Sequence, residues 1–303
     1  MSNEATAITV RVPATSANLG SGFDCLGLAL DLFASITVTF GCPEEPASED
    51  VGERMVLTAA RQAYLRMGRH APPGIRARYT VSIPLGRGLG ASAVARVAGV
   101  LAANEFEGRP LDQDECLAVA SELEGHGDNA SPALLGGVQV CVEAGGRFLH
   151  VGCRYPSNVS MAVVIPDRSM ATKEARRVLP EVYPKVDVIH NLGRAAMFVA
   201  ALGAGRLELL DEATQDRIHQ PQRAALFPAM PAVFAAAKGA GAHAAWLSGA
   251  GSSMAAICPE GIGREVAAAM QRALEQAGET GRSLSTRISA EGASISKIEL
   301  VSP

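Results

Sequence analysis

The sequence predicts a protein of the α/β or α+β class, in which helices and strands are mixed along the whole chain. Short runs rich in β-forming residues predict strands, and longer segments with apolar residues at helical spacing predict helices. A run with three glycines, at residues 86–90, joins one predicted strand to a predicted helix. The 303 residues fit one large or two ordinary domains. We expect two, residues 1–157 and 158–303, with the boundary falling within residues 154–160.

The first half of the chain alternates strands and helices. In chain order, the predicted elements are strands at 8–12 and 33–40, a helix at 55–67, a strand at 79–83, helices at 91–104 and 112–124, and a strand at 136–142. Ile36 and Val38 are typical of the second strand. The first helix follows a loop rich in Pro, Glu and Ser at 42–53, and its apolar residues lie near helical spacing.

The second half repeats this mixture. Its predicted elements are a buried strand at 161–165, helices at 186–202 and 232–238, a strand at 244–247, a helix at 262–276 and a terminal strand at 295–301. Gly203 and Gly239 follow the first two helices, where glycine is common because it adopts the conformation that ends a helix. Pro231 precedes the second helix, which is typical of a helix start.

Composition and charge disfavour several function classes. Hydrophobic residues make up 48% of the chain, so a sizeable core can be buried. Charged residues make up 19%, the net charge is −4 and aromatic residues are only 4%, so neither a basic surface nor a base-stacking surface is indicated. Every apolar stretch is broken by Gly, Arg or Asp before it reaches membrane length. We therefore expect no nucleic-acid partner and no membrane association.

The cysteines and the N-terminus indicate a reducing compartment. The six cysteines lack CxxC spacing, which disfavours a zinc site, and a chain of this size needs no disulfides to fold. Residues 1–6 are polar and lack the apolar region of a signal peptide. We expect a cytoplasmic protein.

The glycine-rich turn predicts a phosphate-binding site made of backbone. Glycines at a strand-to-helix turn let N–H groups approach an anion closely, and the helix N-terminus adds a positive dipole end. A Walker A loop is excluded because Ala91 follows Gly90 and the first 172 residues contain no lysine. The run from Gly86 to Ala91 also fits a dinucleotide fingerprint. Glu105 and Glu107 fall near the required distance, but they do not follow a strand.

Three motifs in order resemble those of the GHMP kinases. Residues 84–93, PLGRGLGASA, are similar to the central ATP-binding motif, usually Pro-x-x-x-Gly-Leu-Gly-Ser-Ser-Ala. Residues 12–27 and 247–253 stand where that superfamily has its flanking motifs. Within the superfamily the chain is most similar to the homoserine kinases, whose signatures resemble residues 12–27, 124–137 and 172–180. The departures from the pattern are Ala91, Gly127, Gln222 and Ser252, and none removes a charged group.

The resemblance implies a fold, an activity and two cofactors. We expect an N-terminal domain like domain 2 of ribosomal protein S5 and a ferredoxin-like C-terminal domain, with the active site between them. The implied reaction is ATP- and Mg²⁺-dependent phosphorylation of L-homoserine to O-phospho-L-homoserine in threonine biosynthesis, by a homodimer. One alternative is a kinase for another alcohol such as mevalonate or shikimate, and a second is a non-catalytic protein that keeps the fold to bind a ligand.

The resemblance also implies the cofactor-binding and metal-binding residues. ATP would be bound by Pro84, Leu85, Gly86, Arg87, Gly88, Leu89, Gly90, Ala91, Ser92, Ala93 and Val94. The Ser92 hydroxyl would face Mg²⁺ or a phosphate, although serine is also favoured as a helix cap. Glu122 or Glu124 would ligate Mg²⁺, because Mg²⁺ prefers oxygen ligands. The sequence does not decide between the two glutamates.

The substrate-site positions implied by the resemblance are Asn18, Asp24, His126, Asn129, Thr172, Arg176 and Arg223. Asp24 can hold the ammonium of homoserine, and the two arginines can hold its carboxylate. Asn18 and Asn129 can orient its hydroxyl, although asparagine is also an ordinary turn residue.

We expect Asn129 and Ser92 to be the catalytic residues. Asn129 stands where some GHMP kinases carry an Asp that can act as a base, and an amide cannot take a proton at neutral pH. Phosphoryl transfer depends mainly on positioning and charge stabilisation. We therefore expect direct attack by the substrate hydroxyl.

Overall fold

The computed structural model describes residues 5–46 and 48–301. Residues 1–4, on which the expectation of no signal peptide partly rests, lie outside this part of the chain, as does Ala47 in the predicted loop 42–53. Within the described residues, every helix is too short or too polar to span a lipid bilayer.

The described strands form two antiparallel sheets. The first sheet has the order β10-β1-β2-β4-β5, with β3 also paired to β2. Its strands are β1 (Ala5–Ala17), β2 (Leu26–Phe40), β3 (Ile75–Val81), β4 (Val138–Ala144), β5 (Arg147–Cys153) and β10 (Ser294–Val301). The second sheet has the order β7-β8-β6-β9. Its strands are β6 (Val159–Pro166), β7 (Ala244–Leu247), β8 (Met254–Pro259) and β9 (Gly281–Thr286).

Helices pack against both sheets. The first half contributes α1 (Val51–Arg66), α2 (Ala91–Phe106), α3 (Gln113–Glu124) and α4 (Ala130–Leu135). The second half contributes α5 (Thr172–Arg177), α6 (Lys185–Gly203), α7 (Leu210–Ala213), α8 (Gln220–Arg223), α9 (Met230–Gly239) and α10 (Gly263–Gln276). Helix α2 packs on α1 and β1, and α10 packs on α9, β9 and β6. Because the strand pairs are antiparallel, the fold is α+β, as predicted.

The long strand β2 holds the first sheet together and leads to the site. Its end at residues 35–40 pairs with β3, whereas its start at residues 26–28 pairs with β4. Strand β1 runs beside it along almost its whole length. The turn between them, residues 18–25, contacts the second half of the chain, because Asn18 donates to the carbonyl of Gly249 and Ser21 donates to that of Ala213.

Several short elements were not predicted. Strands β5 and β9 alternate exposed and half-buried residues, so neither shows the apolar run expected of a buried strand. Strand β8 is buried but rich in alanine, which is a poor β-former. Helices α4, α5, α7 and α8 have at most six residues, which is too short for a helical period to be recognised.

Helix α1 begins at Val51 rather than at residue 55. Asp50 caps it, because its Oδ1 accepts the N–H of Glu53 at 2.9 Å. The predicted loop therefore ends earlier than expected.

The expected division at residues 157 and 158 stays a prediction. Strands β5 and β6, which lie on either side of it, belong to different sheets, and β10 returns from the chain terminus to pair with β1.

Candidate active site

A cleft of about 290 Å³ opens between the two halves of the chain. Its walls come from segments far apart in sequence, including Asn18, Gly88, Glu124, Arg176 and Gly249. The turn after β1, the glycine-rich turn before α2 and the loop after β7 therefore meet in one place.

Backbone hydrogen bonds join the three glycine-containing motifs. The N–H of Thr15 donates to the carbonyl of Leu89 at 3.1 Å, which ties β1 to the central motif. The N–H of Ser253 donates to the carbonyl of Arg87 at 3.0 Å, which ties the C-terminal motif to the same turn. The central turn is thus fixed from both sides.

Two glycines of the central turn are required by close packing. Gly88 and Gly90 have φ of +72° and +67°, a region that side chains disfavour. A Cβ at Gly88 would lie 2.1 Å from the carbonyl oxygen of Ser248, and one at Gly90 would lie 1.8 Å from Oγ1 of Thr15. Only glycine lets the turn come this close to its neighbours.

Among the described residues, none caps the N-terminus of α2 with its side chain, and this end of the helix faces the cleft. Gly90 occupies the cap position and offers no side chain, and the Ser92 hydroxyl bonds to Glu124 instead. The first N–H groups of a helix have no partner within the helix. The first turn of this 16-residue helix therefore presents donors and a positive dipole end to an anion.

Ser92 and Glu124 meet at one side of this helix N-terminus. The Ser92 hydroxyl donates to Oε2 of Glu124 at 3.1 Å. Oε1 of Glu124 lies 2.5 Å from Nη1 of Arg96. Burial raises the pKa of Glu124, whereas the charges of Arg96 and His126 and the Ser92 hydrogen bond act against that rise. A hydroxyl and a buried carboxylate form a hard oxygen pair that suits Mg²⁺.

Glu122 lies away from the cleft. Its carboxylate pairs with Nη2 of Arg66 at 2.5 Å, and both side chains are about a third exposed, at 38% and 34%. Of the two candidate glutamates, the structure places Glu124 against Ser92 and Glu122 on the outer surface.

Asp24 and Arg176 form an ion pair inside the cleft, and Asn18 fixes the aspartate. Nη2 of Arg176 donates to Oδ1 of Asp24 at 2.6 Å, and Nη1 donates to Oδ2 at 3.0 Å. Asn18 accepts the N–H of Asp24 at 3.0 Å and donates to the carbonyl of Gly249 at 2.9 Å. Asn18 therefore joins the N-terminal turn to the C-terminal motif.

Arg223 is a buried cation whose hydrogen bonds go to neutral groups. It is 1% exposed and lines the cleft. Its Nε donates to the carbonyl of Ala175 at 3.1 Å, and its Nη1 donates to the carbonyl of Gly249 at 3.1 Å. Burial, followed by the charge of Arg176, lowers the pKa of Arg223 to about 10, so the guanidinium is charged at neutral pH. A buried charge of this kind calls for an anion.

Asn129 is held between a hydroxyl and a carboxylate. Oγ1 of Thr15 donates to Oδ1 of Asn129 at 2.7 Å, and Nδ2 of Asn129 donates to Oδ1 of Asp128 at 3.2 Å. Nδ1 of His126 lies 2.5 Å from the same Asp128 oxygen. Burial opposes the protonation of His126, but the hydrogen bond to Asp128 and the surrounding carboxylates outweigh it, so the pKa of His126 is raised. Asp24 lies close to this pair, and its charge also raises the pKa of His126.

Comparison with known proteins gives the family. The family models "GHMP kinases N terminal domain" and "GHMP kinases C terminal" match residues 54–137 and 198–276. A homoserine kinase of Microchaete diplosiphon is 38% identical over 299 residues, covering 95% of this chain and 96% of the relative. The chain belongs to the homoserine kinases of the GHMP kinase family. A homoserine kinase of Deinococcus radiodurans is 42% identical over 265 residues, covering 84% of this chain and 85% of that one.

Solved structures agree with this assignment. The crystal structure of homoserine kinase from Cytophaga hutchinsonii has a TM-score of 0.86 and 27% identity, covering 95% of this chain and 97% of that one. The L. major mevalonate kinase has a TM-score of 0.65 at 15% identity, with 96% and 98% covered, which is a likeness of fold alone. The predicted resemblance and the two-domain GHMP kinase fold are thereby confirmed.

The remaining residues predicted for the site of this GHMP kinase fall into two groups. Leu85, Gly86, Ala91 and Thr172 line the cleft. The side chains of Leu89, Ala93 and Val94 are buried in the core, Pro84 is half-buried, and Arg87 is bonded to the carbonyl of Asp167. In this second group the backbone, rather than the side chain, is what can face a nucleotide.

Sequence reasoning missed two residues around the cleft. The ring of Phe23 lies 5.4 Å from the guanidinium carbons of both Arg176 and Arg223. His219 stacks on the same ring, with centroids 5.2 Å apart. Phe23 lies within the predicted N-terminal motif, and His219 precedes Arg223 by one helical turn. The motif position of Phe23 and the four-residue spacing of His219 and Arg223 were the signals that could have found them.

Proposed function

We propose that this protein transfers the γ-phosphoryl group of ATP to the hydroxyl of L-homoserine, giving O-phospho-L-homoserine and ADP in threonine biosynthesis. The observation that carries the proposal is the set of charges in the cleft. Asp24 offers an anion, whereas Arg176 and the buried Arg223 offer cations. An α-amino acid carries the complementary ammonium and carboxylate. Mevalonate and shikimate carry a carboxylate but no ammonium, so Asp24 favours homoserine over both.

Substrate binding follows from these charges. The ammonium of homoserine is bound by Asp24, with His126 and the carboxylate of Asp128 nearby. The carboxylate is bound by Arg176 and Arg223. Asn129 then orients the hydroxyl, because its amide is fixed by Thr15 and Asp128.

ATP is proposed to lie along the glycine-rich turn. The N–H groups at the start of α2 bind its phosphates, as the uncapped helix N-terminus permits. Val51 and Met55 of α1, together with Leu85, provide the apolar lining for adenine.

Mg²⁺ is proposed to be held by Ser92 and Glu124. The fit rests on a buried carboxylate beside a hydroxyl, both of which are hard oxygen ligands. When bound, the ion neutralises charge on the transferring phosphoryl group. The chain's own residues position the reactants, and the substrate hydroxyl attacks the γ-phosphorus directly. Its proton passes to a phosphoryl oxygen, because the amide of Asn129 cannot accept it and Asp128 is already bonded to His126 and Asn129.

A homodimer and a cytoplasmic location are also proposed. The outer face of α6 supports the dimer, because Val186, Ile189 and Leu192 are 62%, 57% and 66% exposed there. Light scattering on the purified protein measures its molecular mass, which tests whether it is a dimer. The cytoplasmic location rests on the expected supply of ATP for biosynthesis.

An ADP-release assay tests the activity. ADP should form with L-homoserine, and mevalonate, shikimate and uncharged alcohols should be poor substrates. If ADP formed with another alcohol and not with homoserine, that alcohol would be the substrate. No ADP with any of them would favour the non-catalytic alternative.

A further inference from the structure

Arg223 is held on its inner side by a fully buried histidine. His219 is 0% exposed, and its Nδ1 lies 3.1 Å from Nη1 of Arg223. Nε and Nη1 of Arg223 are thereby used by His219, Ala175 and Gly249. Within residues 5–46 and 48–301, Nη2 makes no such hydrogen bond, and the residue lines the cleft. Nη2 is therefore the nitrogen left for a ligand.

The hydrogen-bond partners of His219 determine its protonation state. Its Nε2 lies 2.7 Å from the carbonyl oxygen of Gly20, which can only accept, so Nε2 must donate. The guanidinium of Arg223 can only donate, so Nδ1 must accept. The neutral imidazole with its proton on Nε2 satisfies both partners. A protonated imidazole would place two donors against each other at Nδ1.

The position of Gly20 is itself fixed. Gly20 has φ of +80°, and a Cβ there would lie 2.3 Å from the carbonyl oxygen of Thr214. Tight packing between the N-terminal turn and the end of α7 thus fixes the position of the carbonyl that accepts the Nε2–H of His219.

The charged groups around His219 come from three segments. Burial lowers the pKa of His219 and Arg223 lowers it further, whereas Asp216 and Asp24 raise it, and the balance is a lowered pKa. Asp216 lies 3.6 Å from Nε2, beyond hydrogen-bond range. It instead accepts the N–H groups of His219 and Gln220 at the start of α8, at 2.9 and 2.6 Å. Asp216 therefore does not compete for the imidazole proton.

We propose that neutral His219 is the positioning residue for substrate carboxylate recognition, because it orients Arg223 so that Nη2 points to the cleft. This inference rests on the proposed function, in which Arg223 binds the carboxylate of the amino-acid substrate. His219 does not touch the substrate. Its role is to fix one rotamer of a buried arginine and to leave one edge of the guanidinium free.

Two replacements of His219 separate its role as a hydrogen-bond acceptor for Arg223 from its role in packing. His219→Leu removes the acceptor, so the KM for homoserine should rise about tenfold or more, with little change in the KM for ATP. His219→Asn keeps an oxygen acceptor at the place of Nδ1, so its KM for homoserine should return to within about threefold of wild type. His243→Asn is the matched control, because His243 is half-buried just before β7 and outside the cleft.

The outcomes distinguish this inference from the proposed function. If Arg223→Ala raises the KM for homoserine and His219→Leu does not, the positioning role is wrong and the function stands. If the wild-type protein does not phosphorylate homoserine, the proposed function is wrong.

A spectroscopic test is independent of activity and of how the leucine variant folds. Two-bond ¹⁵N–¹H correlation spectra of the wild-type protein, with the His219 signals assigned by their loss in His219→Asn, should show the neutral Nε2–H tautomer at neutral pH. A protonated ring or the Nδ1–H tautomer would overturn the inference.

Discussion

Asp24 and Arg176 form a two-point ion pair across the cleft, with donor–acceptor distances of 2.6 and 3.0 Å. The side chains are 34% and 37% exposed, so water screens the pair and little free energy holds it closed. An amino-acid zwitterion carries the same two charges in the opposite arrangement. It can therefore replace each partner of the pair with its own ammonium or carboxylate, without leaving a net charge in the cleft.

The first prediction concerns Asp24. Asp24→Asn removes the carboxylate that is proposed to bind the ammonium of homoserine. The KM for homoserine should therefore rise by about an order of magnitude or more. The KM for ATP should change little, because the phosphates are proposed to bind N–H groups at the start of α2 and not Asp24. Steady-state kinetics with each substrate varied in turn measures both values.

The control for Asp24 is Asp211→Asn. Asp211 also pairs with a cation, Lys238, but on the surface at 2.8 Å. It should behave like wild type. An unchanged KM for homoserine in Asp24→Asn would contradict the ammonium site.

The second prediction separates the two glutamates. Glu124→Gln should sharply raise the Mg²⁺ concentration needed for half-maximal activity, since it removes a charged oxygen beside Ser92. Glu122→Gln is the matched control and should lose only a surface ion pair with Arg66, worth about 1 kcal/mol or less. Activity titrated against Mg²⁺ measures the difference. Two wild-type curves would exclude both glutamates as ligands.

The third prediction compares two glycines of the same turn. Gly90→Ala places a Cβ 1.8 Å from Oγ1 of Thr15, so the turn must shift and ATP should bind at least about tenfold more weakly. At Gly86 the nearest atom to an added Cβ is 3.4 Å away, so Gly86→Ala meets only the strain of positive φ, about 1 kcal/mol. Calorimetric titration with ATP and thermal unfolding measure both effects. Equal ATP affinity in the two variants would show that close approach at Gly90 is not needed.

The fourth prediction is a pH dependence of stability. Because the pKa of His219 is lowered, the group is neutral in both states above its ordinary value of 6.5. Below 6.5 the unfolded chain takes up the proton first, so the free energy of unfolding falls until the pH reaches the folded-state pKa. His219→Asn lacks this titration. The Tm difference between wild type and His219→Asn should therefore shrink from about pH 7.5 to about pH 5.5. A Tm difference that stayed constant over this pH range would show that His219 is not neutral in the folded protein.

The glycine-rich turn could be predicted because its chemistry is local. Glycines with positive φ, a helix start and a strand end all lie within one short run, and the structure places them at the cleft. The pairing of Asp24 with Arg176 could not be predicted from spacing, because the two residues are 152 positions apart. Only the resemblance to a known family placed both of them in one site.

The choice between Glu122 and Glu124 shows another limit of the sequence. Residues two apart on a helix point about 200° away from each other. Which of them faces the cleft therefore depends on how α3 docks on α2, and the sequence of α3 alone does not show this. His219 was missed for a related reason, because it lies just before α8, which has only four residues and shows no helical period.

The last prediction concerns Thr15, whose hydroxyl donates to Oδ1 of Asn129 at 2.7 Å. The opposite side of that amide donates to Asp128, so Thr15 decides which way the amide faces. Thr15→Val has the same shape without the hydroxyl and leaves the amide oxygen unpaired. The kcat should fall about tenfold, with little change in the KM for ATP, because Asn129 no longer orients the substrate hydroxyl. Thr15→Ser keeps the donor and should stay within about threefold of wild type. If Thr15→Val retained the wild-type kcat, the orientation of Asn129 would not matter for phosphoryl transfer.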